Sequence, residues 1–440
     1  MKLWKYILIT LTFWLCLQVQ NTNAYTNPSA SLFSEAGILY HRETKTIVWE
    51  KNSRQKMYPA SLTKLMTADV ILHSDLSMQE TVTISSKMLA GLEEANASVA
   101  GFVAQETVTV KDLLYGLLLP SGGDAANALS QLVSNDEHSF VKLMNERTKS
   151  LGLADTNFQN PTGLDQANQY TTAYDMMLLL DHLLEHEEFR TIATTSKYTV
   201  ITNKHPQGLE MQSSMVVGTD PKSRYYSPYM AGGKTGYTGK AGRCLASFSS
   251  DQGMEFIHIS LKAPFEGFTA PSKSFADAKE LYTWAYDRFY PTVYADSKQP
   301  LTAITIPNAW HHQLRVAWDK PVTVLLDRYF EDNVMMVHTI PETLSAPIAK
   351  GQKLGSVQLY YQNLLIHEQE MYSPEAIKSS IIAQAVWYLY DFIAAYPFAL
   401  AAVSIILMIL LIRRYHIAAQ RRKKMKRRKY RQPQYIKRQF

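Results

Sequence analysis

Apolar and polar positions change rhythm several times along the chain. Residues 36–50, AGILYHRETKTIVWE, hold apolar runs at 36–40 and 46–50 around a polar turn, which predicts a β-hairpin. PASLTKLMTA at 59–68 then opens a helix. In TVKDLLYGLLL, Leu113, Leu114, Leu117 and Leu118 recur at helical spacing, with Thr109 placed as a cap. GDAANALSQLV and HSFVKLMNERTKSLG continue the helical pattern, the second closing on Gly152. NPTGLD at 160–165 breaks regular structure, and TTAYDMMLLLDHLL restarts a helix. From residue 198 strand patterns prevail in KYTVIT, GRCLASFSS and MEFIHISLKA. DAKELYTWAYDRFY closes this region as a helix ending just before Pro291. Helices lodged between a first hairpin and later strands imply a mixed α/β sheet whose first and last strands meet.

Residues 291–372 read as a small all-β domain, with strand patterns LTAITI, VTVLLD and GSVQLYYQ between turns. It holds no residue cluster suited to catalysis. At 373–391, Ser373 stands as N-cap and Pro374 as N1 of an expected lead-in helix. Ile377, Ile381, Ile382, Ala385 and Leu389 form its apolar stripe, and Trp387, Tyr388 and Tyr390 an interfacial belt. Phe392 to Ile412 follows, 21 residues without a charge, enough to cross a hydrocarbon layer.

Charge sharpens both ends. Residues 1–24 begin with Lys2 and Lys5, run apolar from Tyr6 to Leu17 and end at Ala24, as a secretory signal peptide does; a retained anchor is the rival. Beyond residue 412 lie 13 Lys and Arg and no acidic residue. The positive-inside rule puts this tail, 413–440, in the cytoplasm and the preceding domains outside, as a single-pass cell-membrane protein. Such a basic run also suits nucleic acid, but the adjoining span favours membrane lipid headgroups, and no nucleic acid is expected as a partner. Of 45 basic residues the tail takes 13, so the rest of the chain is mildly acidic, 32 against 39. Cys16 and Cys244 are the two cysteines, so a chain without its first 24 residues has no internal disulfide and depends on its core. At 440 residues and 46% hydrophobic, it has the length for one. The twelve histidines show no metal-ligand spacing, His311-His312 reading as a loop, and neither metal nor cofactor is expected.

Candidate chemistry lies in three short motifs. Ser61 and Lys64 are three apart on a helix, so the amine can reach the hydroxyl. Ser53/Lys56 and Ser139/Lys142 have the same form, the first in a polar turn, the second on a charged helix; both read as solvated surface. A serine needs a base, and a lysine serves only if desolvation or another cation lowers its pKa. Lys234-Thr235-Gly236, in GGKTGYTGKAGRC, supplies such a cation at a Gly-rich entry to a strand, where a substrate backbone can approach. Ser121, in LLLPSGGDAANAL, stands between two helical stretches.

Together these motifs resemble the penicillin-recognising serine enzymes, and more closely the D-alanyl-D-alanine carboxypeptidases, the low-molecular-mass penicillin-binding proteins. The resemblance covers nearly the whole chain, including NPTGLD…YTTAYDM. It implies a β-lactamase/transpeptidase-like catalytic domain at 25–290, mixed α/β, an antiparallel sheet with flanking helices and a helical subdomain. The small all-β domain and the C-terminal transmembrane helix complete that architecture. It implies Ser61 as nucleophile, Lys64 as general base and Ser121 as proton relay. Lys234 and Thr235 would bind the substrate carboxylate beside Gly236, with the backbone N–H groups of Ser61 and Tyr237 as oxyanion hole. The implied substrate is a peptidoglycan pentapeptide ending in D-Ala-D-Ala, with β-lactams as inhibitors. Two departures stand out. Gly123 occupies the position of the family's amide-bearing Asn, and Asp124 is no substitute, because a carboxylate repels a carbonyl. Ser274 stands where the family often has an arginine, leaving Lys273 or Arg224 to assist Lys234. A transpeptidase, a β-lactamase and a non-catalytic wall-binding module are the rival readings; no Glu within NPTGLDQANQY is placed to activate water for fast deacylation.

Overall fold

The computed structural model describes residue 28 and residues 32–429, apart from 135, 266, 268–271, 311, 330–333, 362 and 363. The expected signal peptide and the last part of the basic tail lie outside the described residues. Strands β1 (Ala36–His41) and β2 (Thr46–Lys51) form the hairpin its alternation predicts. Strands β3 (Met230–Thr238), β4 (Gly242–Asp251) and β5 (Met254–Ala263) form a meander. β5 pairs antiparallel with β1, which closes one five-stranded sheet in the order β2-β1-β5-β4-β3. First and last strands therefore meet, and β3, carrying Lys234-Thr235-Gly236, is left as an edge.

The helices lie between and after these strands. α1 (Thr63–Leu72) is buried from Thr63 through Ile71, so it runs through the core with no solvent face. α2 (Val110–Leu118) starts at Thr109, whose side chain accepts from Asp112 N–H in a capping box. α3 (Gly123–Val133) and α4 (Glu137–Ser150) follow, and Gly152 leaves α4 in a left-handed conformation, φ +73°. α5 (Ala173–Leu183), capped by Thr172, leads to α6 (Glu187–Thr194). α7 (Lys273–Arg288) ends in β-structure, and Pro291 lies inside the strand Phe289–Ala295. Inside the core, Asp69 of α1 is fully buried and takes a two-pronged ion pair from Arg147, 2.7 and 3.2 Å.

The described residues fall into two compact units: one up to residue 296 with 321–337 and 358–368, the other of 297–320, 338–357 and residues from 369 onward. The first includes the strand pair Phe289–Ala295 with Val322–Asp327, the second the pair Pro300–Thr305 with Gln313–Ala317. The second also holds two C-terminal helices, and here the lead-in reading needs correction. Its helix begins at Ile381, not Ser373, with Ser380 accepting from Ala383 N–H as N-cap. Ile377 instead bridges Ile348 within the β-rich unit and is buried there, a long-range pairing that overrides helical spacing. The helix Ile381–Ala395 ends at Tyr396, and a new helix starts at Pro397, which lacks the N–H that a continuous helix requires. Among the described residues one helix is long and apolar enough to cross a membrane, Pro397–Met425, with mean hydropathy 2.0 over its most apolar stretch. The expected span at 392–412 thus straddles the break.

Candidate active site

Ser61 lies in a 3-10 turn, Ala60–Leu62, that feeds directly into α1. Lys64, one turn on, places its Nζ 3.1 Å from Ser61 Oγ. The same ammonium nitrogen donates to the Thr162 carbonyl at 2.5 Å, so the NPTGLD turn fixes the lysine from the other side. Lys64 is buried, and burial lowers its pKa to about 7, against the nearby charge of Asp124, which raises it. A buried amine poised near neutrality can take a proton from a hydroxyl and give it back.

Close approach makes this turn possible. Gly163 has φ +85°, and a Cβ there would lie 2.0 Å from the Ala60 carbonyl oxygen. Ala60 itself adopts φ +48°, strain of roughly 1–3 kcal/mol that the packing overrides. Edge strand β3 abuts the turn opposite: a Cβ on Gly236 would stand 3.0 Å from Ser61 N and 3.3 Å from Leu62 N. Asp165 accepts from the Thr238 hydroxyl at 2.7 Å, tying the NPTGLD turn to the end of β3.

Lys234 is fully buried on β3, its Nζ donating to the Thr235 carbonyl at 2.9 Å. Burial, and next the charge of Lys64, depress its pKa strongly. Two buried amines within each other's field cannot both hold protons cheaply, so the pocket seeks an anion. The Thr235 hydroxyl bonds Ser214 at 2.6 Å, and the Tyr237 ring packs on Phe265 with centroids 4.3 Å apart. Ser121 sits at φ +67°, its hydroxyl buried without a hydrogen-bond partner among the described residues. So the structure joins Ser61 to Lys64, sets Gly236 against the serine turn and puts Lys234 in the field of Lys64. The other two Ser-x-x-Lys pairs separate: Ser53, buried rather than solvated as expected, donates to Glu50 while Lys56 pairs with Asp155, and Ser139 donates to Asp136 while Lys142 faces Glu146.

At the first departure, Gly123 begins α3, and a Cβ there would meet Leu92 Cδ2 at 2.8 Å and the Ser98 carbonyl oxygen at 3.3 Å. Segment 92–98 closes the space that an asparagine would need. Asp124 turns away, accepting N–H groups of Ala100, Gly101, Phe102 and Ala125 at 2.8–3.1 Å. It anchors residues 100–102 to the start of α3, a role that sequence reasoning missed along with the Thr162 carbonyl; neither carries a local pattern. At the second, Ser274 is buried, Lys273 lies over the Phe33 ring and Arg224 over the Tyr225 ring. Arg243 is the basic residue paired opposite Tyr237 across the β3–β4 register.

A serine in the turn that enters a buried helix, a lowered-pKa lysine in that helix's first turn and a Lys-Thr-Gly edge strand facing them define a penicillin-recognising serine enzyme. The chain belongs to the D-alanyl-D-alanine carboxypeptidase family, whose model matches residues 21–264; residues 290–379 match the C-terminal domain of penicillin-binding protein 5. It is 26% identical over 385 residues to D-alanyl-D-alanine carboxypeptidase DacF of Bacillus subtilis, covering 86% of this chain and 95% of that one. To DacC of Escherichia coli it is 29% identical over 374 residues, 82% and 88% of the two chains. The solved penicillin binding protein 5 of Haemophilus influenzae shares the fold with TM-score 0.70 at 23% identity, covering 80% of this chain and all of that one. The DD-transpeptidase of Streptomyces K15 matches 59% of this chain and 98% of its own at 26% identity and TM-score 0.53. The function is that of a D-alanyl-D-alanine carboxypeptidase, a serine-type hydrolase of the cell wall, with a C-terminal apolar helix as anchor.

Proposed function

We propose that Ser61 is the nucleophile of this carboxypeptidase, acylated by the substrate, with Lys64 as its base. The observation that carries the assignment is the 3.1 Å contact between Lys64 Nζ and Ser61 Oγ on an amine whose pKa is lowered to about 7. Neutral Lys64 takes the Ser61 proton as Oγ attacks the carbonyl carbon of the penultimate D-alanine. The N–H groups of Ser61 and Tyr237 stabilise the oxyanion; such a donor is worth about 3–4 kcal/mol of barrier. The lysine's proton passes by way of the Ser121 hydroxyl to the nitrogen of the terminal D-alanine as the C–N bond breaks. Water, deprotonated by Lys64, then attacks the ester and restores Ser61 Oγ–H. The terminal carboxylate draws a proton onto Lys234, with Thr235 donating alongside; Gly236, lacking a side chain, lets the substrate backbone lie along the edge of β3.

The substrate is a peptidoglycan pentapeptide ending in D-Ala-D-Ala, and β-lactams acylate the same serine. The catalytic domain at 25–290 is followed by the β-rich domain from 291, which extends past 372 to take in Ile377, then by a lead-in helix, Ile381–Ala395, a span within the helix Pro397–Met425 and a basic tail. The signal peptide at 1–24 exports the catalytic domain, and the single span leaves the basic tail cytoplasmic against anionic lipid. Incubation of the full chain in detergent with such a pentapeptide tests the reading. Free D-alanine and fluorescent penicillin labelling are expected from the wild type and neither from Ser61→Ala. A Ser61→Ala variant that still labels would refute the assignment.

A further inference from the structure

Away from the cleft, three histidines converge where helices end. His73 is the C-cap residue of α1, His182 stands in the last turn of α5 and His186 is the N-cap residue of α6. Their ring nitrogens include a set lying within 4.8 Å of one another, and all three rings reach solvent. His73 and His182 stack with centroids 5.1 Å apart, and His186 stands edge-on to them at 4.8 and 5.5 Å. The expectation that no histidines show ligand spacing overlooked His182 and His186, four apart. It had no means of seeing His73, 109 residues from His182.

The tautomers are informative. His73 Nδ1 meets the Asp69 backbone carbonyl at 2.9 Å; a carbonyl only accepts, so Nδ1 carries the hydrogen and Nε2 keeps its lone pair. That lone pair faces His182 Nε2 at 3.3 Å, where a proton or a cation must lie between the two nitrogens. Tetrahedral zinc with Zn–N bonds of roughly 2.0–2.1 Å puts two ligand nitrogens about 3.3–3.4 Å apart, and the observed gap fits. A backbone carbonyl accepting from the second ring nitrogen is the outer partner that metal-binding histidines use. Around the cluster, Asp69 Oδ1 lies 3.4 Å from His182 Nε2 and from His73 Nδ1, and Glu185 Oε2 lies 3.9 Å from His182 Nδ1. Arg147 Nη2, 3.3 Å from His182 Nε2, is a cation nearby, but Asp69 pairs with it at 2.7 and 3.2 Å. The C-terminal ends of α1 and α5 add negative dipole potential.

We propose that His73, His182 and His186 form a three-histidine site for a divalent transition-metal ion, zinc first, with the fourth position open to water. Completing the tetrahedron closes the 4.8 Å separation in the set by about 1.4 Å, through a swing of His186 inward. The ion pins the end of α1 to the α5–α6 corner, nine residues and about 13 Å along the helix from Lys64, so it stabilises rather than catalyses. The site is independent of the carboxypeptidase chemistry, and either can fail alone.

The full chain, purified in detergent without a polyhistidine tag and stripped with chelator, is titrated with Zn²⁺ and with Co²⁺. One ion per chain is expected, with a raised Tm and the visible bands of tetrahedral cobalt. His182→Ala and, as a milder change at an N-cap, His186→Gln weaken binding by more than about the 100-fold that lost outer partners cost, while fluorescent penicillin labelling shows each variant folded. His138→Ala, an exposed histidine elsewhere, leaves binding unchanged. Absence of stoichiometric binding by the wild type, or cobalt bands and a Tm shift surviving in both variants, would overturn the site.

Discussion

Gly236→Ala probes the close approach of β3 to the serine turn. The added methyl would stand 3.0 Å from Ser61 N, 3.1 Å from Ala60 Cβ and 3.3 Å from Leu62 N, against ordinary contacts near 3.5–4.0 Å. Neither side yields easily. β3 is held in register with β4 through Lys234–Ala246, Thr235–Leu245 and Gly236–Cys244. The serine turn is backed by Gly163, which leaves no space behind Ala60. Turn and strand must therefore separate by about 0.5 Å, shifting the Ser61 N–H away from the oxyanion position. Complete loss of one such donor costs about 10²–10³ in rate, and a displacement of about 1 Å costs roughly 10², so a 10–100-fold fall in acylation is expected. The overpacking destabilises the fold by about 1–2 kcal/mol. Rates of fluorescent penicillin acylation and of D-alanine release, read beside the denaturation midpoint, measure both. Because the lost interaction belongs to the transition state, kcat and kcat/KM fall together. Acylation within twofold of wild type would refute the assigned contact between β3 and the oxyanion donor.

Four further outcomes follow from the same site. As pH rises through about 7, Lys64 loses its proton and kcat/KM for D-alanine release rises. The same depressed pKa makes the unfolded chain bind more protons between pH 7 and 10.5, so this group's contribution to stability grows across that window; denaturant melts at pH 7 and 9 check the sign. Asp124→Asn replaces a carboxylate that accepts four N–H groups with one carbonyl and a misplaced donor, costing about 2–4 kcal/mol by chemical denaturation. Gly123→Asn must displace Leu92 and press on the Ser98 carbonyl, so it lowers stability by about 1–3 kcal/mol before any gain in substrate contact; a melt above wild type would contradict the packing.

Much of this was readable along the chain because its causes are local. Strand alternation and helix caps act within a few residues, which is why β1–β2, the Thr109 cap of α2 and the close of α4 at Gly152 fell where expected. The same locality misled at residues 373–380: helical spacing placed Ile377 on an apolar stripe, but a partner at Ile348 claimed it for the β-rich unit. The three motifs, likewise, were visible as short strings, and so was the departure at Gly123.

What those strings mean was decided between distant residues. Local context sets Ser61 and Lys64 apart from the polar turn at Lys56 and the charged helix at Lys142, but the burial of Lys64 and its bond to the Thr162 carbonyl, 98 residues on, exist only in the fold. The depression of Lys234 comes from being enclosed beside Lys64, and the His73–His182–His186 cluster from helix ends that meet only in the fold. Pattern along a chain determines which face of an element is apolar, since that needs only periodicity. Desolvation, close approach and the sharing of charge depend on which faces come together, and those belong to the tertiary structure.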